Sequence, residues 1–185
     1  PCAFMDTYDP ETVFSSIDHQ GRYAYFNQPG ITKWNLLRFA ETLIPLINEK
    51  EDKAIEIAKE TVNNFGALYK KYWLVMMSKK IGLFGEQAQD ESLINDLLTW
   101  MNQNKVDYTN TFCSLMKKNI KKEKLFQNST FIEWHKRWVI RLAKNKKPSE
   151  MSLNLMRNNN PLVIPRNHKV EEALNAASNN ANLIP

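Results

Sequence analysis

EDKAIEIAKETVNNFGALYKKYWLVMMSKKI, residues 51–81, is the stretch that decides the fold class. Within it Ala54, Ile57, Ala58, Val62, Phe65, Leu68, Tyr69, Tyr72, Val75 and Met76 recur at three- and four-residue steps. That spacing gathers apolar side chains on one face of an α-helix. Gly82 stands where a C-cap belongs, because glycine takes the left-handed conformation that ends a helix. The stretch predicts one long helix, mostly buried along one side, with Met76 and Met77 in the core. Period-2 alternation, the mark of a half-buried strand, is sustained nowhere in the chain.

The same period continues on both sides. Upstream, Trp34, Leu37, Leu43 or Ile44, and Ile47 define a first helix from Ile31, capped by Thr32 or Gly30 and bent near Pro45. Downstream, helices are predicted over Asp90 to Asn104, Asp107 to Lys118, and Ser129 to Lys144, the last carrying Phe131, Trp134 and Trp138 as core. Pro148-Ser149-Glu150 opens a short helix, Asn158-Asn159-Asn160-Pro161 stops it, and a final helix begins near His168. Residues 1–30 are different: Asp9-Pro10, Gly21 and Pro29-Gly30 break them too often for helix propagation. The fold class is therefore mainly α, a single domain of 185 residues with a looped segment over 1–30 and a helical lobe over 31–185.

Composition sets the outer bounds. With 43% hydrophobic and 11% aromatic residues, the chain can bury a sizeable core. No apolar run approaches the roughly 20 residues that span a bilayer, so no membrane partner is expected. The first residue is Pro1, which points to a segment excised from a longer chain. Cys2 and Cys113 are far apart and lack CxxC spacing, which argues against a zinc site or a disulfide framework and for a reducing compartment. The formal charge of +5 is concentrated: residues 115–147 hold eleven Lys or Arg against Glu123 and Glu133. Outside that region acids outnumber bases, so the chain is no polycation, and nucleic acid is not an expected partner.

Functional side chains concentrate in loops, and Asp18, His19, Arg22, Asn27 and Gln28 form the densest such group. A structural explanation is available for each. Asp, Asn and Gln in turns bond to nearby backbone, and Arg22 can stack on Tyr23 or Tyr25. Asp18 and His19 are adjacent and have no nucleophile, so they do not make a hydrolytic triad. Glu133 and His135 flank an aromatic stripe and are not read as metal ligands. Neither GxGxxG nor GxxxxGK[ST] occurs, so no phosphate-binding loop is present.

Several blocks together carry a resemblance. Pro1 to Pro10 (PCAFMDTYDP), Asp18 to Tyr23 (DHQGRY), Asn27-Gln28-Pro29 and Trp34-Asn35-Leu36 are similar to the stretch that follows the metal-binding Asp-Tyr-Gly of selenoprotein O. The likeness continues through Met77 to Leu83, Asp107-Tyr108-Thr109 with Thr111-Phe112, Glu133-Trp134 with Arg137-Trp138, and Asn160-Pro161 through Ile164 to Glu171. This family is a pseudokinase family: a kinase-like fold that transfers AMP from ATP to protein hydroxyls, with Mg or Mn.

The resemblance implies that the nucleotide-binding, catalytic and metal-binding residues all precede Pro1, so no catalytic, cofactor-binding or metal residue is assigned in this chain. It implies an activation-segment-like region over 1–30 and the helical part of the kinase-like C-lobe after it. Asp18, His19, Arg22, Asn27 and Gln28 are then loop anchors or substrate-facing residues. The partners implied are protein substrates and the upstream kinase-like lobe of the same chain, in the cytoplasm of a bacterial-type cell. This segment alone is expected to be inactive and to bind no cofactor. The rival reading is a non-enzymatic helical module that recruits acidic protein or nucleic acid through residues 115–147.

Overall fold

The computed structural model describes residues 3–180, and within them the chain is helical, with a single isolated bridge between Thr7 and Asp107 and no strand. Eight α-helices follow in order: α1 Gln28–Ile47, α2 Glu51–Asn63, α3 Phe65–Lys80, α4 Asp90–Gln103, α5 Tyr108–Leu115, α6 Ser129–Ala143, α7 Ser149–Asn159 and α8 Asn167–Asn180. The chain divides into two compact units, one of Pro10–Met77 and one made of the residues up to Asp9 with those from Ser78 onward. The division passes through the 1–30 segment at the Asp9-Pro10 step and through α3, where no change of composition marks it.

In the smaller unit, α1 begins three residues earlier than its apolar period, because Pro29 in its first turn has the helical φ built in and lacks only an N–H that would be unsatisfied there. Pro45 sits in the last turn, and the helix ends two residues later. Glu51 and Asp52 open α2, where acids complement the helix dipole. Its buried residues, Ala54, Ala58 and Val62, recur every four positions, and small side chains on that face allow α1 and α2 to pack closely.

The long helix expected over 51–81 is two helices. The break falls at Asn64, after the Asn63-Asn64 pair, and asparagine both propagates helix poorly and favours local turns. The expected burial also fails here: Ile57, Leu68, Tyr69, Tyr72 and Met76 are exposed, as is Trp34 on α1, while Met77 is fully buried.

The C-terminus of α3 does follow the sequence. Gly82 has φ +75°, its N–H donates to the Lys79 carbonyl at 3.1 Å, and the Leu83 N–H donates to the Ser78 carbonyl at 2.9 Å. Those two bonds are the Schellman arrangement, and only glycine takes that φ without strain. A Cβ at Gly82 would lie 3.1 Å from Met156 Cγ, Met156 Sδ and the Ser152 carbonyl.

The larger unit holds the aromatic core, built where α4 packs on α6. Leu93, Ile94, Leu97, Trp100 and Met101 form the buried face of α4 and meet Phe131, Trp134 and Trp138 of α6. Trp134 and Trp138 stack with ring centroids 5.6 Å apart, and Trp100 lies 4.8 Å from Phe131. Each buried indole has an acceptor: Trp134 Nε1 donates to the Leu93 carbonyl at 2.8 Å and Trp138 Nε1 to the Ile81 carbonyl at 2.9 Å. Trp100 Nε1 donates to Asn128 Oδ1 at 3.1 Å, and the same oxygen caps α6 through the Phe131 N–H at 2.7 Å.

The helix expected over Asp107 to Lys118 ends at Leu115, with Asp107 as its N-cap accepting from the Asn110 N–H at 2.7 Å. Two short 3-10 turns, Ile120–Lys122 and Lys124–Gln127, follow. Residues 1–2, Cys2 among them, and 181–185 lie outside the described residues.

Candidate functional site

The loop singled out by sequence belongs to the smaller unit and is organised around one carboxylate. Asp18 accepts the backbone N–H groups of Arg22 and Tyr23, both at 2.8 Å, one on each oxygen. Gly21, at φ +63°, makes the turn possible, and its carbonyl accepts from Asn27 Nδ2 at 2.8 Å. The following residues pair back along the segment: Tyr25 N–H to the Thr12 carbonyl and Phe26 N–H to the Pro10 carbonyl, each 2.9 Å. Asp18, Arg22 and Asn27 are thus brought together in one turn that leads directly into α1.

Arg22 extends outward from this turn. Its guanidinium carbon lies 4.7 Å from the Trp34 ring centroid on α1 and 5.8 Å from that of Tyr23. Arg38 approaches the same indole at 5.6 Å. A cation over an indole face is attracted by the ring quadrupole, on the order of 0.5–1 kcal/mol at an exposed position. The contact ties the loop to α1. His19 and Gln28 are exposed and make no side-chain hydrogen bond among the described residues, Gln28 serving as the first residue of α1.

Trp34 also lines an open groove of about 380 Å³ with Gly30, Lys33, Leu37, Lys59, Val62 and Asn63, all within the smaller unit. Its floor is apolar and its cations are Lys33 and Lys59. Such a surface can seat a side chain or short segment of a partner, but it offers no base, nucleophile or oxyanion donors. Among the described residues no three His, Cys, Asp or Glu side chains converge on a metal position.

A second polar constellation, in the larger unit, escaped the sequence reading. Arg166, in the segment before α8, donates to Asp6 and, at 2.5 Å, to Asp107, with Asn110 Oδ1 at 3.4 Å from its other nitrogen. These bonds, that to Asp107 first and that to Asp6 second, raise the guanidinium's affinity for its proton. The neighbouring Asn167 donates to the Phe4 carbonyl at 3.2 Å, and backbone bonds from Tyr8 to Val106 and from Tyr108 to Asp6 complete the attachment of residues 4–8. The signal was present in part: Asp6, Asp107 and Arg166 all fall in blocks that carry the family resemblance.

Beside this cluster lies Lys80, almost fully buried, its ammonium 4.5 Å over the Phe112 ring and 5.4 Å over that of Tyr108. Its ammonium donates to the Asn159 carbonyl at 3.4 Å. Burial pushes its pKa down to about 8, with Cys113 acting weakly in the other direction. The Cys113 thiol is itself pushed up, mainly by burial, and donates to the Pro161 carbonyl at 3.4 Å. A lysine held against aromatic rings is a packing element whose proton is held less tightly than usual, and no reacting partner stands in line with it.

The basic region 115–147 is less available than its composition suggests. Arg141 is buried against Asp90, Lys117 pairs with Glu123 at 2.8 Å, Arg137 with Asp96 at 2.6 Å and Lys136 with Glu133 at 3.5 Å.

Comparison with known proteins decides the family. Residues 1–185 match the protein adenylyltransferase SelO family. The chain belongs to the SelO family. It is 55% identical over 185 residues to the protein nucleotidyltransferase YdiU of Alcanivorax borkumensis, and 54% identical over 181 residues to that of Nitrosococcus oceani. The YdiU of Pelagibacter ubique is 55% identical over 179 residues. These matches take in 97–100% of this chain but only 37–38% of the relatives, so this SelO-family chain spans under two-fifths of their length, as their C-terminal portion. No helix among the described residues is long and apolar enough to cross a membrane.

Proposed function

We propose that this chain is the C-terminal portion of a bacterial, cytoplasmic, ATP-dependent protein adenylyltransferase, the helical end of a kinase-like C-lobe. The observation that carries the reading is 55% identity, over all 185 residues, to a protein nucleotidyltransferase. In the reaction, a protein hydroxyl oxygen bonds to the α-phosphorus of ATP, the bond from that phosphorus to the β-bridging oxygen breaks, pyrophosphate leaves, and the hydroxyl proton passes to a base. Nucleotide, Mg or Mn ion and base are assigned to the portion of the enzyme outside this chain, as the resemblance of Pro1 to Pro10 to the stretch that follows the family's metal-binding Asp-Tyr-Gly implies.

This chain's part is to present the acceptor. Reaction through an in-line geometry gains most from positioning, and a loop on a helical platform can hold a protein segment in register. The turn closed by Asp18 and Asn27 and fastened by Arg22 to Trp34 borders the groove of Lys33 and Lys59, so anchor and acceptor surface adjoin. Four of the eleven cations of residues 115–147, Lys117, Lys136, Arg137 and Arg141, pair with acids, and a polyanion-binding module through that region stays the rival reading, with the family match favouring the enzyme.

The test is Arg22→Ala in the full-length enzyme. Lost anchoring lowers modification of a protein acceptor, mostly through KM for that protein, and leaves ATP affinity within about twofold. Loss of ATP binding with an ordered loop would place these residues in the nucleotide site instead.

A further inference from the structure

The groove that Trp34 lines carries charge of one sign. On α1, Gly30, Lys33, Trp34 and Leu37 recur at three- and four-residue steps, and on α2 Lys59, Val62 and Asn63 do the same, so each helix turns one face to the groove. Trp34, Leu37 and Val62 supply its apolar floor. Of the lining residues only Lys33 and Lys59 are charged, and no acid is among them. Neither lysine has an ion pair among the described residues. The nearby acids of α2, Glu56 and Glu60, stand three residues before and one after Lys59 and do not line the groove.

Two more cations reach the groove through Trp34, whose ring has Arg22 at 4.7 Å and Arg38 at 5.6 Å. Arg38 is paired with Glu41 at 2.6 Å, whereas the Arg22 guanidinium has only aromatic partners among the described residues. An apolar floor under an unneutralised positive rim fits an apolar side chain flanked by carboxylates. The floor takes the apolar group out of water, and the lysines reach the carboxylates on flexible stems. A nucleic acid is a poorer match, because its phosphates call for cations in a row and its bases for a bare aromatic face. Here a base stacking on Trp34 competes with two guanidinium groups. A basic segment is rejected by the same rim that attracts an acidic one.

We infer that this groove docks an acidic segment of the protein acceptor, with an apolar side chain on the floor and carboxylates at Lys33 and Lys59. The inference rests on the reading of this groove as the acceptor surface of a protein adenylyltransferase, and adds the chemistry of the acceptor. Asn63 lines the same groove and carries both a donor and an acceptor, so it can pair with the backbone of the segment. The volume of about 380 Å³ lies near the lower end of the range of about 300–1,000 Å³ common for ligand pockets, so a short segment is recognised. Charges at an open rim are screened by salt, which makes the preference for acidic over basic segments strongest at low ionic strength.

Fluorescence anisotropy on the full-length enzyme tests this with two labelled peptides. One has a single phenylalanine between two runs of glutamate, followed by a serine, and its twin has lysine at every glutamate. The glutamate peptide binds at least about tenfold more tightly than the twin at low salt, and the gap narrows as the salt is raised. Lys33→Glu and Lys59→Glu each weaken its binding by about fivefold or more, while Lys118→Glu, the same charge change at an exposed position of the other unit, weakens it by less than about twofold. Gly30→Phe blocks the groove without changing charge and removes binding at every salt concentration. Nothing lies within 4 Å of a Cβ at Gly30, and phenylalanine suits a helix better than glycine, so that variant folds. Equal affinity for the two peptides overturns the inference. So does unaltered binding in Lys33→Glu and Gly30→Phe, the result if another part of the enzyme fills the groove. An equal loss in Lys118→Glu moves the site to the basic region, and a DNA oligonucleotide that binds more tightly than the glutamate peptide with the same dependence on Lys33 makes the groove a polyanion site; either result overturns the inference. AMP transfer to the serine is scored on the same samples. Transfer to both peptides alike refutes the acidic preference alone, and Lys33-dependent binding without transfer refutes the function alone.

Discussion

Arg141 of α6 grips both carboxylate oxygens of Asp90, the first residue of α4, with Nε to Oδ1 at 2.6 Å and Nη2 to Oδ2 at 2.9 Å, and both side chains only 2% exposed. The rest of the guanidinium is also satisfied, by Asn145 Oδ1 at 2.9 Å and by the carbonyls of Phe84 and Gly85 at 3.2 Å. Asp90 in turn accepts the Gln87 N–H at 3.0 Å and sits where the dipole of α4 favours an anion. One ion pair therefore fixes α4, α6 and the loop after α3 together.

Removing one member leaves a buried charge without its partner. Arg141→Ala and Asp90→Ala each destabilise the larger unit by about 3–5 kcal/mol. The double replacement by apolar residues of similar size costs less than either single change. Urea unfolding monitored by tryptophan fluorescence checks this, and additive losses would show that the pair is not coupled.

Gly82→Ala is expected to cost about 2 kcal/mol, because φ +75° is strained for any side chain and the added Cβ meets Met156 and the Ser152 carbonyl at 3.1 Å. Thermal unfolding measures the loss. Truncating Met156 in the same molecule relieves only the side-chain part.

Lys80 makes stability depend on alkaline pH. Its pKa is about 8 in the folded state and 10.5 as its ordinary value, so between these limits the unfolded chain binds more protons and stability rises with pH. Below about 8 the lysine is charged in both states, and the unfavourable burial is fully present. Cys113 works the other way, since its raised pKa makes the folded state retain a proton longer. Lys80→Met in a Cys113→Ser background abolishes the rise, and an unchanged slope of unfolding free energy against pH would refute the assignment.

Arg166→Ala releases Asp6 and Asp107 and with them residues 4–8. Charge-assisted hydrogen bonds of this kind contribute about 1.5–3 kcal/mol, so amide exchange there quickens by about tenfold or more while the α4 and α6 core is unchanged. Arg166→Lys restores protection only in part, because an ammonium between Asp6 and Asp107 has no second nitrogen to reach the other Asp107 oxygen and Asn110. Equal exchange in all three proteins would mean that the backbone bonds alone hold the segment.

What was legible in sequence follows from range. The core of Leu93, Leu97, Trp134 and Trp138 is written in helical spacing, and the cap at Gly82 is a single-residue signal next to the helix it ends, whereas the N-caps Asp107 and Asn128 were not read as caps. Within the candidate loop, Asp18 and Asn27 reach backbone only four to six residues away, so turn chemistry predicts them. Arg22 was read against Tyr23 and Tyr25, whereas its closest ring is Trp34, supplied by the helix that the loop enters. Arg166 lies 160 residues from Asp6 and 59 from Asp107, and no local pattern reports such a meeting. The exposure of Leu68, Tyr72 and Met76 was missed for a different reason: periodicity finds an apolar face and does not report whether a neighbouring element packs on it.

The proposed AMP transfer by the longer protein can be read directly from which phosphate of ATP enters the acceptor. The direct measurement incubates the full-length protein, a protein acceptor and Mg or Mn with ATP labelled at either the α- or the γ-phosphate, beside a parallel sample of the 185-residue chain alone. The α-label enters protein in the full-length sample and pyrophosphate is released, the γ-label does not enter, and the 185-residue chain transfers neither. Transfer of the γ-label in place of the α-label, or transfer by this chain alone, would contradict the account.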